Sequence, residues 1–136
     1  MQTATIKWAG KERFEALGPS GHTVLMDSDR ESNSGPGPME MLLMALGACT
    51  ATDVVIILEK KRQKLQSLEV VCSGERAPDP PKVWATLDVL FRVRGEVDEN
   101  ALKHAIELTR EKYCSVAAML NKTAKISWRY EISPAR

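Results

Sequence analysis

The chain has 136 residues, enough for one domain with a real core and too few for two ordinary ones, so a single domain over residues 1–136 is expected. Its 19 Lys and Arg against 18 Asp and Glu leave no basic field to hold nucleic acid or an anionic membrane, and neither is expected as a partner. Met1-Gln2-Thr3-Ala4-Thr5-Ile6-Lys7 lacks the apolar stretch of a signal peptide, and three cysteines cannot all pair within one chain, which points to the reducing cytoplasm.

In chain order, Thr3 to Trp8 alternates, with Ala4, Ile6 and Trp8 on one side, and turns at Ala9-Gly10-Lys11. Arg13 to Ala16 and His22 to Met26 read as two more short strands around Gly18-Pro19-Ser20-Gly21, completing an antiparallel meander. A polar loop from Asp27 to Gly37 leads to the dominant stretch, Gly35 to Lys64. There Pro36 and Pro38 suit a helix start, Glu59-Lys60-Lys61-Arg62-Gln63-Lys64 suits its end, and no charge occurs from Met41 to Thr52. Met41, Leu42, Leu43, Met44, Leu46, Val54, Val55, Ile56, Ile57 and Leu58 occupy every side of the helical period, so this helix is expected to be buried all round. It has about the minimum length of a membrane span, but Thr50, Thr52 and Asp53 interrupt it, and a core helix is the expected reading.

Beyond it, Leu68, Val70 and Cys72 share one face of a strand, which makes Cys72 a small core residue. Ala77-Pro78-Asp79-Pro80-Pro81 must be a loop, and Val83 to Arg94 alternates as a long antiparallel strand. Asp98 is a plausible N-cap for a helix from Glu99 to about Lys112, with Leu102, Ala105 and Ile106 inward and His104 on the surface. Cys114 then precedes a short helix, Ser115 to Leu120, and Ala124, Ile126, Trp128, Tyr130 and Ile132 mark a last strand. The order β-β-β-α-β-β-α-α-β describes an α+β sandwich of sheet and helix layers.

Two cysteines stand in informative places. Cys114 is set where helix N–H groups and the helix dipole favour a thiolate. Cys49, in mid-helix, shares a face with Ala45, Thr52, Asp53 and Ile56. Asp53 opposes negative charge on that sulfur, so a reactive Cys49 needs a cation to offset it. The positions 49, 72 and 114 form no CxxC or Cys/His cluster, so neither a metal nor a cofactor is expected.

The stretch Ser34-Gly-Pro-Gly-Pro-Met-Glu-Met-Leu-Leu-Met-Ala-Leu-Gly-Ala-Cys49, followed about sixty residues later by Glu111-Lys-Tyr-Cys-Ser-Val116, resembles the OsmC/Ohr family, and particularly its YhfA-like branch. The resemblance covers nearly the whole chain in the same element order. It implies an OsmC-like sandwich of antiparallel sheet with a long buried central helix, an intertwined homodimer, and reduction of organic hydroperoxides by two cysteines. Cys49 matches the peroxidatic cysteine and Cys114 the resolving one, with an external dithiol, lipoyl-type in relatives, as reductant. The family's peroxidases carry a glutamate directly after the helix-opening proline; here that place is Met39 and the carboxylate is Glu40. They also carry an early arginine that pairs with the thiolate, for which Arg13 is the first candidate and Arg30 the second. A reading of another class keeps the dimer but makes it a binding protein for a small hydrophobic ligand at the subunit interface.

Overall fold

A computed structural model describes residues 1–136, whose contacts fall into two compact units, Met1–Leu42 and Leu43–Arg136. The first unit holds three strands in the order β1 (Thr5–Trp8), β2 (Arg13–Leu17) and β3 (Thr23–Asp27), each antiparallel to the next. Ile6 lies opposite Ala16 and Trp8 opposite Phe14, with Phe14 opposite Met26 and Ala16 opposite Val24, so the alternation seen in the sequence gathers these side chains on one face. That face is bare. Ile6 is 57% exposed and Trp8 70%.

Asp27, the last residue of β3, is fully buried. Its carboxylate accepts hydrogen bonds from the Ser32 hydroxyl (2.7 Å), the Ser34 hydroxyl (2.7 Å) and the backbone N–H groups of Ser34 (3.0 Å) and Asp29 (2.9 Å). One side chain thereby orders the loop that delivers the chain to its long helix. Gly35 is required here, since a Cβ on it would stand 2.3 Å from the Leu25 carbonyl oxygen.

The helix α1 runs Pro38–Lys60, with Pro38 at its first position and Lys60 in its last turn. Its buried residues are Leu46, Thr50, Val54, Ile57 and Leu58, one face only. Met44, Ala48, Thr52 and Ile56, spaced by four, form an exposed stripe, with Met44 at 54% and Ile56 at 44%. The expectation of burial on every side therefore fails within this chain, because the apolar pattern records what a face needs and not which chain covers it. By length and composition α1 could cross a membrane, a test that the core helix of a soluble protein also passes.

In the second unit β4 (Lys64–Arg76) and β5 (Trp84–Glu96) form a long antiparallel pair. β6 (Lys125–Ser133) lies on the other side of β5 and runs parallel to it, where antiparallel pairing was expected throughout. A parallel pair requires a crossover, and α2 (Glu99–Leu108), a π-helical turn (Thr109–Tyr113) and α3 (Ser115–Leu120) supply it. β5, paired on both sides, carries the core: Leu87, Val89, Phe91 and Val93 pack with Leu46, Val54 and Leu58 of α1 and with Leu102, Ala105 and Ile106 of α2. Phe91 also stacks on Trp128 of β6, with ring centroids 6.3 Å apart. Asp98 caps α2 as expected, accepting from the Ala101 N–H at 3.0 Å.

Candidate functional site

The sequence expects α2 to continue to about Lys112; instead it passes into the π turn after Leu108. The Cys114 N–H donates to the carbonyl of Thr109 at 2.9 Å, five residues back, while the buried Thr109 hydroxyl donates to Ala105 at 2.8 Å. One residue more per turn changes the direction in which the chain leaves the helix. Cys114, extended at φ −77° and ψ 102°, becomes the N-cap of α3, and its Sγ accepts the Ala117 N–H at 3.3 Å.

That placement was expected to favour a thiolate. The structure reverses the expectation: Cys114 is 3% exposed, and its thiol is pushed up to about 12. Burial is the largest cause, followed by the hydrogen bond with Cys49, and the Ala117 N–H offsets only part of it. A single N–H at the start of a short helix does not outweigh removal of the sulfur from water.

Cys49 approaches from the middle of α1. The Sγ atoms of Cys49 and Cys114 and a carboxylate oxygen of Asp53 all lie within 4.8 Å of one another, and the Ser115 hydroxyl is 4.0 Å from the Cys49 sulfur. Helical spacing explains the pairing of Cys49 with Asp53 one turn on; bringing Cys114 to them takes the whole crossover. Asp53 Oδ2 is buried and has no hydrogen-bond partner, and burial pushes this carboxyl above its ordinary range. Ser115 was not anticipated, although its position directly after Cys114, at the first residue of α3, was the available signal.

Cys72 lies outside this cluster, half-buried on β4. Its thiol is pushed up to about 11, first by burial and then by the negative charge of Asp88. A Cβ on Gly47 would come 3.3 Å from the Cys72 sulfur, so the glycine lets α1 lie close on β4. Beside them an open trough of about 610 Å³ is lined by Leu43, Met44, Ala48, Ala51, Val70 and Val71, among others.

The remaining anticipated residues belong to the first unit. Glu40 accepts the Gly37 N–H at 2.8 Å and pairs with Arg30 at 3.4 Å, which satisfies an otherwise orphaned donor at the start of α1. Arg30 is engaged within its own loop, donating to Asn33 at 2.8 Å, to the Gly35 carbonyl at 3.2 Å and to the Asp27 carbonyl. Arg13 has a buried Nε without a hydrogen-bond partner.

A family model described as OsmC-like protein matches residues 31–129, which include both cysteines of the cluster and Asp53. Protein YhfA of Escherichia coli K12 is 41% identical over 133 residues, covering 97% of this chain and 98% of that protein. Among solved structures, a hypothetical protein from Aquifex aeolicus VF5 superposes with a TM-score of 0.91 at 28% identity, covering 100% of this chain and 98% of the other. An organic hydroperoxide resistance protein OsmC from Legionella pneumophila shares the fold, with a TM-score of 0.73 at 11% identity and 96% coverage of both chains.

Proposed function

The chain belongs to the OsmC-like protein family, and on that premise we propose that it is a thiol-dependent peroxidase that reduces organic hydroperoxides. The observation that carries this reading is the meeting of Cys49 and Cys114 in a single cluster, with Cys72 excluded. The Cys49 sulfur, as thiolate, attacks the terminal peroxide oxygen. The O–O bond breaks, the alkoxide leaves and takes a proton as the alcohol, and Cys49 becomes a sulfenic acid. Cys114 then attacks that sulfur; the S–S bond forms, and the hydroxyl departs with the Cys114 proton as water. Reduction by an external dithiol, through thiol–disulfide exchange, returns both thiols. A lipoyl-bearing protein is the proposed reductant and the cytoplasm the proposed compartment.

The functional unit in this reading is an intertwined homodimer. The bare faces of β1–β3 and of α1 support it, since apolar surface of this extent is what an obligate interface covers. Arg13 is the proposed cation for Cys49, its unpartnered Nε leaving it available, with Arg30 second; Glu40 is the proposed helper acid. Replacing Arg13 with Ala should slow alkylation of Cys49 at pH 7 by roughly tenfold or more, on the rule that rate follows thiolate fraction. Unchanged alkylation in both Arg13→Ala and Arg30→Ala would remove arginine activation.

The test of the whole reading mixes reduced protein with cumene hydroperoxide and follows free thiols and intact mass. Loss of two thiols and two hydrogens, with Cys49 joined to Cys114 in the peptide map, is expected. The rival, a dimeric binder of a small hydrophobic ligand, draws on the apolar trough beside α1. It would be favoured if both thiols persisted and the ligand-free protein took up an apolar probe.

A further inference from the structure

Three potential ligand groups converge in the second unit, and none is paired with a cationic side chain. Cys49, Asp53 and Cys114 place two sulfurs and a carboxylate oxygen within 4.8 Å of one another. Asp53 Oδ2 is sealed from water without a hydrogen-bond partner. No lysine, arginine or histidine makes an ion pair with Asp53. An orphaned buried oxygen is costly, so a carboxylate that keeps one while standing beside two sulfurs invites a ligand.

We propose that Cys49, Asp53 and Cys114 form a binding site for a zinc-class divalent cation, with a water or the Ser115 hydroxyl in the fourth position. Thiolate ligands select a soft or borderline ion, and the carboxylate argues against Cu(I). Zinc takes sulfur at about 2.3 Å and carboxylate oxygen at about 2.0–2.2 Å in a tetrahedron, and that puts ligand atoms roughly 3.3–3.8 Å apart. The three ligand atoms, all within 4.8 Å of one another, would therefore draw together by about 1 Å on binding. Ser115, 4.0 Å from the Cys49 sulfur, is on the rim of the same space. Three protein ligands and one exchangeable position describe an open site.

Binding is balanced by protons: the cation replaces the two thiol protons, and any proton on Asp53, which are released to solvent. Its charge also meets the burial that opposes ionisation of Cys114, because a coordinating thiol is deprotonated outright. The cation and a hydroperoxide would compete for the same sulfurs, since a Cys49–Cys114 disulfide leaves no thiolate to coordinate. That competition rests on the peroxidase reading; the binding does not.

The test titrates reduced, metal-free protein with Co2+, then displaces it with Zn2+. One Co2+ per chain is expected, with sulfur-to-cobalt charge-transfer absorption, release of at least two protons, and protection of Cys49 and Cys114 from iodoacetamide. The absorption should vanish in Cys49→Ser and Cys114→Ser and persist in Cys72→Ser. Asp53→Asn, nearly the same shape, should weaken affinity at least about tenfold while circular dichroism shows the fold retained. Co2+ bound without sulfur absorption, absorption that survives Cys49→Ser, or an unchanged affinity in Asp53→Asn would each overturn the site. Cumene hydroperoxide added to the metal-free protein tests the peroxidase reading separately, so either can fail alone.

Discussion

The two sheets are built from similarly alternating strands, yet they end in opposite conditions. In the second, Leu87, Val89, Phe91 and Val93 of β5 are each at most 2% exposed, covered by helices of the same unit. In the first, Ile6, Trp8, Phe14 and Val24 are all 37% exposed or more, with no core of their own. Apolar alternation marks a face that must be covered; it carries no information on whether the cover is the same chain or another. The contrast divides the molecule into a part whose apolar faces are covered within the chain and a part whose apolar face is exposed.

The sharpest way to break this contrast compares one substitution from each sheet. Phe91→Ala should cost about 3–5 kcal/mol, the range for emptying a fully buried aromatic site, at any protein concentration. Ile6→Ala should lower the melting temperature only as far as it weakens association, so its effect should depend on protein concentration. Equal, concentration-independent losses in both would mean that the two sheets are stabilised alike.

A second substitution bears on α1, where one helix shows both conditions. Met44→Glu places a charge on the exposed stripe and leaves Leu46 and Val54 untouched. In a homodimer covering that stripe, the dissociation constant should rise at least about thirtyfold, the ratio for a 2 kcal/mol hot spot. Sedimentation showing a stable folded monomer before the substitution would remove the dimer itself.

How far the sequence disclosed all this follows from the range over which each signal acts. The strands of both sheets were readable from alternation, and Asp98 from capping chemistry, because those signals are local. The neighbourhood of Cys49 and Asp53 was readable too, four residues apart on one helix. Cys114 beside them was accessible only through family resemblance, as its approach depends on a crossover and a π turn that no short window encodes. The site proposed at Cys49, Asp53 and Cys114 lies outside the reach of contiguous cysteine spacing, because its ligands stand on separate elements. The low-lying thiolate expected at Cys114 failed because the N-terminus of α3 is visible in sequence and its burial is not.

Cysteine reactivity offers a smaller, kinetic distinction within the second unit. Cys72 is half-buried against α1 and its thiol is pushed up to about 11, so little thiolate exists near neutrality. Its alkylation at pH 8 should be at least about tenfold slower than that of an exposed cysteine, on the dependence of rate on thiolate fraction. Asp88→Asn removes the second cause and should speed it modestly, provided the sheet stays folded. Peptide mapping that finds Cys72 labelled first would place its sulfur in a different environment.

The smallest expected effect concerns the buried charge of the first unit, Asp27. Hydrogen bonds from Ser32, Ser34 and Asp29, with Ser32 the largest cause, hold the Asp27 carboxyl well below the usual carboxylate range. A carboxyl depressed in the folded state adds stability that is fully present above its unfolded value, about 3.9, and is lost as pH falls through the lower folded one. Between pH 7 and pH 4 the loop that Asp27 organises should therefore stay closed. Asp27→Asn substitutes an amide that accepts at only one end, so either the Ser34 or the Asp29 N–H loses its acceptor and the loop should open at every pH. Hydrogen exchange at the Ser34 and Asp29 amides reads this directly: protection flat from pH 7 to pH 4 in the native chain after correction for intrinsic rates, and lower throughout at one or both of them in the variant. Global melting should fall by only a few degrees, since β5 and its core are untouched. Equal protection at both Ser34 and Asp29 in the two proteins would show that the loop is held by its backbone, Gly35 included, and not by the buried carboxylate.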